Sequence, residues 1–293
     1  MRKIGFFISL LASTMALGGL QAQELHTLDF KTCKAMRAYF RYSPSKKIIS
    51  GHRGTIENGL PENSIPAFEA VLKKTPAIFE IDPRYTKDSV AILLHDARLE
   101  RTTNGVGKVA DYTWAELQKL RLRDKTGKVT QYGINTLQEV IDWAKGKTIL
   151  NLDKKDLPLA KTAEIIRQNN AYAWVWVTVH NVEQAKYYLD QNKDQYLSMH
   201  IKDGAALAKF ESSGLPYDRM IVYIGSEIVP ANQEMYRFFN NKGVMCMIST
   251  APSYDKLAEK EQRYESYNAV FEDGASVLES DLPIEVSRAI SQK

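Results

Sequence analysis

The chain has little cysteine, no long apolar run beyond its first twenty residues, no glycine- or proline-rich linker, and no marked excess of either charge. Each absence narrows the field. Two cysteines among 293 residues, Cys33 and Cys246, exclude a dense disulfide framework. They lie far apart, so one disulfide in an oxidising compartment and two buried thiols both remain open. The formal net charge is +4, and Arg2 and Lys3 contribute two of that. So mild a balance argues for no nucleic-acid partner. No later stretch is long and apolar enough to span a bilayer. No glycine-rich fingerprint follows the first strand-like run, which counts against an open dinucleotide-binding sheet, the alternative α/β architecture.

Arg2 and Lys3 precede the apolar run Gly5 to Leu20, and Ala22 offers a small residue for cleavage. This reads as a signal peptide over residues 1–22, with an uncleaved anchor as the alternative. No cysteine follows the run, which counts against a lipoprotein. An exported protein, periplasmic or secreted from a bacterial envelope, is expected. Residues 23–46 read as an N-terminal extension and residues 47–293 as one α/β domain.

Within that domain, short apolar runs alternate with amphipathic stretches. Strands are expected at Lys47–Gly51, Ala77–Pro83, Val90–His95, Thr148–Asp153, Trp174–His180, Tyr196–Ile201, Met220–Ile224, Val244–Ser249 and Ser276–Ser280. Several are apolar throughout, as parallel strands covered on both faces should be. The first intervening helix is well signalled: Ser64 is a good N-cap, Pro66 sits in the first turn, and Ile65, Phe68, Val71 and Leu72 share a face. About eight such units predict a closed (β/α)8 barrel. The stretch between His95 and Leu137 exceeds a plain connection and predicts a small insertion after the second strand region.

Four of the five histidines, His52, His95, His180 and His200, fall at or just past the C-terminal end of an expected strand. That end of such a barrel carries the active site. Glu80 and Asp82 are two apart on one strand and leave the same face. Two carboxylates side by side in a barrel repel each other and resist burial, and a divalent cation removes both difficulties. Pairing with Arg84 or Lys87 is the plainer alternative. Asp153 ends another strand and could supply a third oxygen ligand. All-oxygen ligation selects Mg²⁺, Ca²⁺ or Mn²⁺. Lys155 shares a face with Asp153 and could reach a bound anion. Gly51-His52-Arg53-Gly54 sets a proton carrier beside a permanent cation suited to phosphate.

Taken together, Gly51-His52-Arg53-Gly54, Pro61-Glu62-Asn63-Ser64, Glu80-Ile81-Asp82, His95-Asp96, Arg101-Thr102-Thr103, Thr136-Leu137-Gln138-Glu139 and Asp281-Leu282-Pro283 resemble, in order, the glycerophosphodiester phosphodiesterase family. The resemblance implies a (β/α)8 barrel with His52 and His95 as acid and base. It implies one Ca²⁺ or Mg²⁺ held by Glu80, Asp82 and Asp153, with Arg53 and Lys155 on a small phosphodiester substrate. Glu62 and Asn63 fall in its motif and join His180 and His200 as possible pocket residues, with Tyr85 and Tyr223 weaker. The chain departs from the family pattern in three ways that matter. The third carboxylate is Asp153 in Asp-x-Lys where Glu-x-Lys is usual. Pro83 follows Asp82. Met247-Ile248-Ser249-Thr250 lacks the usual tryptophan, which bears on substrate shape. Three other readings remain: a lysophospholipase D-like barrel acting on lipid, a non-catalytic phosphodiester-binding homologue, and a glycoside hydrolase, which also pairs carboxylates on barrels.

Overall fold

A computed structural model describes residues 24–292. The leader expected over residues 1–22 lies outside the described residues. Ten strands form: β1 (Ile48–His52), β2 (Ile78–Ile81), β3 (Pro83–Tyr85), β4 (Ala91–Leu93), β5 (Leu150–Leu152), β6 (Val175–Val179), β7 (Leu197–His200), β8 (Met220–Gly225), β9 (Cys246–Ser249) and β10 (Val277–Ser280). Eight of them close a parallel barrel in the order β1-β10-β9-β8-β7-β6-β5-β2. Helices cover the outside. The expected barrel is the one the chain adopts.

One expected strand does not join it. Val90–His95 reads as a parallel strand, but β4 pairs antiparallel with β3, outside the barrel. Pro83 explains the parting. It has no N–H to continue the ladder beyond Asp82, so β2 ends at Ile81 and pairs instead with β5. The β3–β4 hairpin opens an insertion with its own small core of Ile92, Leu94, Leu99, Val109, Leu117, Leu122 and Ile134. The helix Ile65–Leu72 forms as its sequence requires. Ser64 Oγ accepts from Ala67 N, and Ala67, Phe68, Val71 and Leu72 are buried.

Period-two alternation along each strand divides the barrel into two environments. Outward residues such as Ile49, Phe79, Leu150, Val177 and Leu278 pack against the helices. Inward residues grade from apolar to polar along the strand direction. The lowest layer holds Ile48, Ile78, Ile149, Trp176, Tyr196, Ile221 and Val277. Segment 24–46 closes that end, and its helix Cys33–Tyr39 buries Met36 there. The Phe40 ring sits 4.5 Å from Trp176, edge to face. Truncating Trp176 would cost about 3–5 kcal/mol. The next inward layer is polar and buried: Ser50, Glu80, Asn151, Thr178, Ser198, Ser249 and Glu279. The strand ends then present His52, Asp82, Asp153, His180, His200 and Asp281. The apolar floor supplies stability and leaves the upper layers free for chemistry.

Cys33 and Cys246 are both free thiols. Among the described residues no helix is long and apolar enough to cross a membrane.

Candidate active site

The loop after β1 is shaped by what glycine permits. A Cβ on Gly51 would lie 2.4 Å from Gly54 O and 2.8 Å from the Phe79 ring. Arg53 follows with φ 57°, and Asn63 has φ 55°. Such left-handed residues cost energy and cluster at functional sites. Backbone bonds hold the turn: Arg53 N donates to Glu80 O at 3.0 Å, and Asn63 N to Arg53 O at 2.7 Å. The strained turn sets His52 and Arg53 over the mouth of β2.

Glu80, Asp82 and Asp153 converge there. One oxygen from each lies within 4.8 Å of the others. Asp82 is fully buried. Asn63 Nδ2 donates to its Oδ2 at 2.7 Å, and Asp82 N returns a bond to Asn63 Oδ1 at 3.1 Å. Arg53 Nε approaches the same oxygen at 3.2 Å without hydrogen-bond alignment. Lys155 Nζ lies 3.0 Å from Asp82 Oδ1 and 2.5 Å from Asp153 Oδ2. Glu80 Oε2 is buried with no hydrogen-bond partner. Burial, aggravated by Asp82, Glu279 and Asp153, pushes the Glu80 carboxyl well above its ordinary range, and Arg53 offsets this only in part. Burial also acts upward on Asp153, but His180 and Lys155 beside it hold that carboxyl below the usual range. Three convergent carboxylates against one ammonium and one guanidinium, with one buried oxygen lacking a hydrogen bond, fit a hard divalent cation.

His52 Nδ1 lies 2.7 Å from Asp281 Oδ1, and its Nε2 is 3.8 Å from Glu80 Oε2. Burial alone would lower the His52 pKa. The Asp281 hydrogen bond and the Glu279 charge more than reverse that, and the net shift is upward. His95 has the same design: its Nδ1 lies 2.7 Å from Asp96 Oδ1. Arg101 clamps Asp96 at 2.6 and 3.0 Å and grips Glu62 with two further bonds of 2.8 Å. Glu62 in turn accepts from Arg53 at 3.3 Å. This chain of pairs fastens the insertion to the β1 loop.

The other candidate residues are placed unevenly. His180 and His200 meet, Nδ1 to Nδ1, at 3.1 Å. Burial, His180 and Lys202 lower His200 to about 3, so it is neutral. His200 and Tyr223 line a cavity of about 480 Å³ with His52, Glu80 and Asp153. Glu62 lines a second cavity of about 510 Å³ toward the insertion, which also reaches His52 and Arg53. Asn63 lies beneath Asp82 as its support and lines neither cavity. Tyr85 does not face the site. On β3 it packs against the outer core, and its N–H bonds Asp156 at 3.0 Å. His95 follows an insertion strand outside the barrel and lines neither cavity.

Sequence reasoning missed Glu279 and Asp281 as site residues. A signal was present. Glu279-Ser280-Asp281 repeats the Glu-x-Asp spacing of Glu80-Ile81-Asp82, and β1 lies between β10 and β2. Asp96, Arg101 and Glu62 each lie in a quoted motif, but no spacing joins them as one clamp.

Residues 52–254 match the Glycerophosphoryl diester phosphodiesterase family. A crystal structure of a glycerophosphoryl diester phosphodiesterase from Parabacteroides distasonis is 46% identical, with a TM-score of 0.90, over 92% of this chain and 95% of that one. A phosphodiesterase from Oleispira antarctica, solved with the product sn-glycerol-3-phosphate, shares the fold at 19% identity and a TM-score of 0.61, over 84% and 97% of the two chains. A glycerophosphodiester phosphodiesterase of Caldanaerobacter subterraneus is 38% identical over 106 residues, 36% of this chain. That match spans 43% of the relative's length, under half of it. The family match covers more than half of the chain and includes both the β1 loop and the three converging carboxylates, and the chain belongs to the glycerophosphoryl diester phosphodiesterase family.

Proposed function

We propose that the protein is a divalent-metal-dependent hydrolase that cleaves a glycerophosphodiester to glycerol phosphate and an alcohol. The observation that carries this reading is the convergence of Glu80, Asp82 and Asp153 beside His52, whose Nδ1 is held by Asp281; His95, whose Nδ1 is held in the same way by Asp96, is taken as its counterpart. Glu80, Asp82 and Asp153 would hold one Ca²⁺ or Mg²⁺. When bound, such a cation supplies Lewis-acid stabilisation of charge on phosphoryl oxygens. Arg53 presents its guanidinium to the remaining non-bridging oxygens, and Lys155 adds positive charge. Asp281 and Asp96 fix the tautomers of His52 and His95, leaving each Nε2 free for proton traffic. One of the two takes a proton from the attacking hydroxyl, and the other gives one to the leaving alkoxide.

Cavity walls carrying His52, Arg53, Asn151, Thr178, Ser198 and Lys202 suit a water-soluble diester better than an intact lipid. Among the described residues the exposed large hydrophobic side chains are Val106, Val129 and Val229, too few for a lipid-binding rim. We also infer export of the protein, on the strength of residues 1–22.

Replacing His52 or His95 by Ala should cut kcat on glycerophosphocholine by about 10²–10⁴ with the fold intact by circular dichroism. Turnover like that of the unmodified protein in both variants removes the proposal.

A further inference from the structure

The proposed chemistry occupies one half of the barrel rim. Glu279 and Asp281 come from β10, His52 from β1, Glu80 and Asp82 from β2 and Asp153 from the end of β5, which are four adjacent strands. The other half of the same cavity carries the opposite charge. Lys202 follows β7, diametrically across the barrel from β1, and Lys256 lies in the short helix after β9.

Neither lysine forms an ion pair among the described residues, and their acidic neighbours are engaged elsewhere. Asp203 accepts from Ala206 N at 2.8 Å, capping a helix. Asp255 accepts from Thr250 Oγ1, Ser280 Oγ and Asp281 N at 2.7–2.8 Å. Lys202 Nζ rests 4.9 Å from the centroid of the Tyr223 ring, inside the cavity. Between the lysines and the barrel floor, Ser198 Oγ is fully buried, lines the cavity and has no hydrogen-bond partner. Two exposed ammonium groups without an ion pair, above an unpartnered hydroxyl, describe a receptor for a hydroxylated, anionic group. A lysine is a compact point charge that binds phosphate without demanding planar geometry.

We propose that the arm of the diester lying across the barrel mouth carries a second anionic group, a phosphomonoester, seated between Lys202 and Lys256. This rests on the phosphodiesterase reading and narrows it to a substrate class, diesters of phosphorylated polyols.

The test compares kcat/KM for glycerophosphoinositol 4-phosphate and glycerophosphoinositol, with Mg²⁺ or Ca²⁺ present. The native protein and the Lys202→Met/Lys256→Met double variant are measured side by side. The native protein should favour the phosphorylated diester about tenfold at low ionic strength, and added NaCl should shrink the preference. In the double variant the preference should fall to about twofold or less. Turnover without preference for the phosphorylated diester, or a preference that survives the double substitution, overturns this inference and leaves the phosphodiesterase reading standing. No turnover of either diester, nor of glycerophosphocholine, overturns both.

Discussion

Glu80→Gln should make the metal-free protein more stable and the metal-loaded protein less so. Glu80 is buried among Asp82, Asp153 and Glu279, and its Oε2 has no hydrogen-bond partner. Its carboxyl therefore has a folded-state pKa well above the ordinary 4.5. Such a group contributes its full stability below the unfolded pKa and loses it as pH rises through the folded value. At neutral pH without metal, folding must therefore either bury a reluctant charge or take up a proton, and both cost stability. Glutamine keeps the shape and removes the charge. Relief of an unsatisfied buried polar group is worth about 1–3 kcal/mol. At about 2–4 °C per kcal/mol for a chain of this size, Tm should rise by about 2–12 °C in EDTA.

Metal should reverse the order. A cation that binds only the folded state adds about 2.7 kcal/mol at one hundred times its Kd. The unmodified protein should gain this on titration with Mg²⁺ or Ca²⁺, and the variant should gain much less. The two Tm curves should cross as metal is added. The EDTA gap should close toward pH 4, where Glu80 is protonated in the folded and unfolded chains alike. Differential scanning calorimetry across pH and metal concentration reads all of this. A variant that is less stable in EDTA at pH 7, or that keeps a full metal-induced shift, refutes the reasoning.

Asp281→Asn should lower kcat by about 10²–10⁴, because an amide no longer fixes the His52 tautomer or stabilises its charged form. The same change removes a carboxylate that raises the His52 pKa, so the limb of the kcat/KM–pH profile due to His52 should move to lower pH; an unmoved limb contradicts the assigned role. Gly51→Ala should destabilise by about 1–3 kcal/mol in urea unfolding, since its Cβ would meet Gly54 O at 2.4 Å. It should also lower activity by shifting Arg53, and an unchanged midpoint would show that the turn can yield.

The barrel and its acidic centre were legible because both follow from alternation. Once Ala77–Pro83 is read as a strand, Glu80 and Asp82 must share its inner face, and Asp153 at another strand's end must face the same space. Two exceptions have local causes. Pro83 ends the ladder and turns the chain out of the barrel, which carries Tyr85 to the outer core and makes β4 half of a hairpin. His95 goes out with the insertion and is tied back by the Arg84 bonds to its carbonyl at 2.8 and 2.5 Å. Single-strand periodicity does not register such a return.

What stayed hidden is the support for the histidines. His52 and Asp281 are 229 residues apart, and they meet because closure makes β1 and β10 neighbours. Registry then sets Gly51 against Ser280 and Ser50 against Glu279. A strand pattern specifies which face a residue takes, but only the closed order of strands specifies whose side chain it meets. The same closure places Lys202 opposite the carboxylates. The rim's separation of charge is therefore a property of the ring of eight strands and of no single motif.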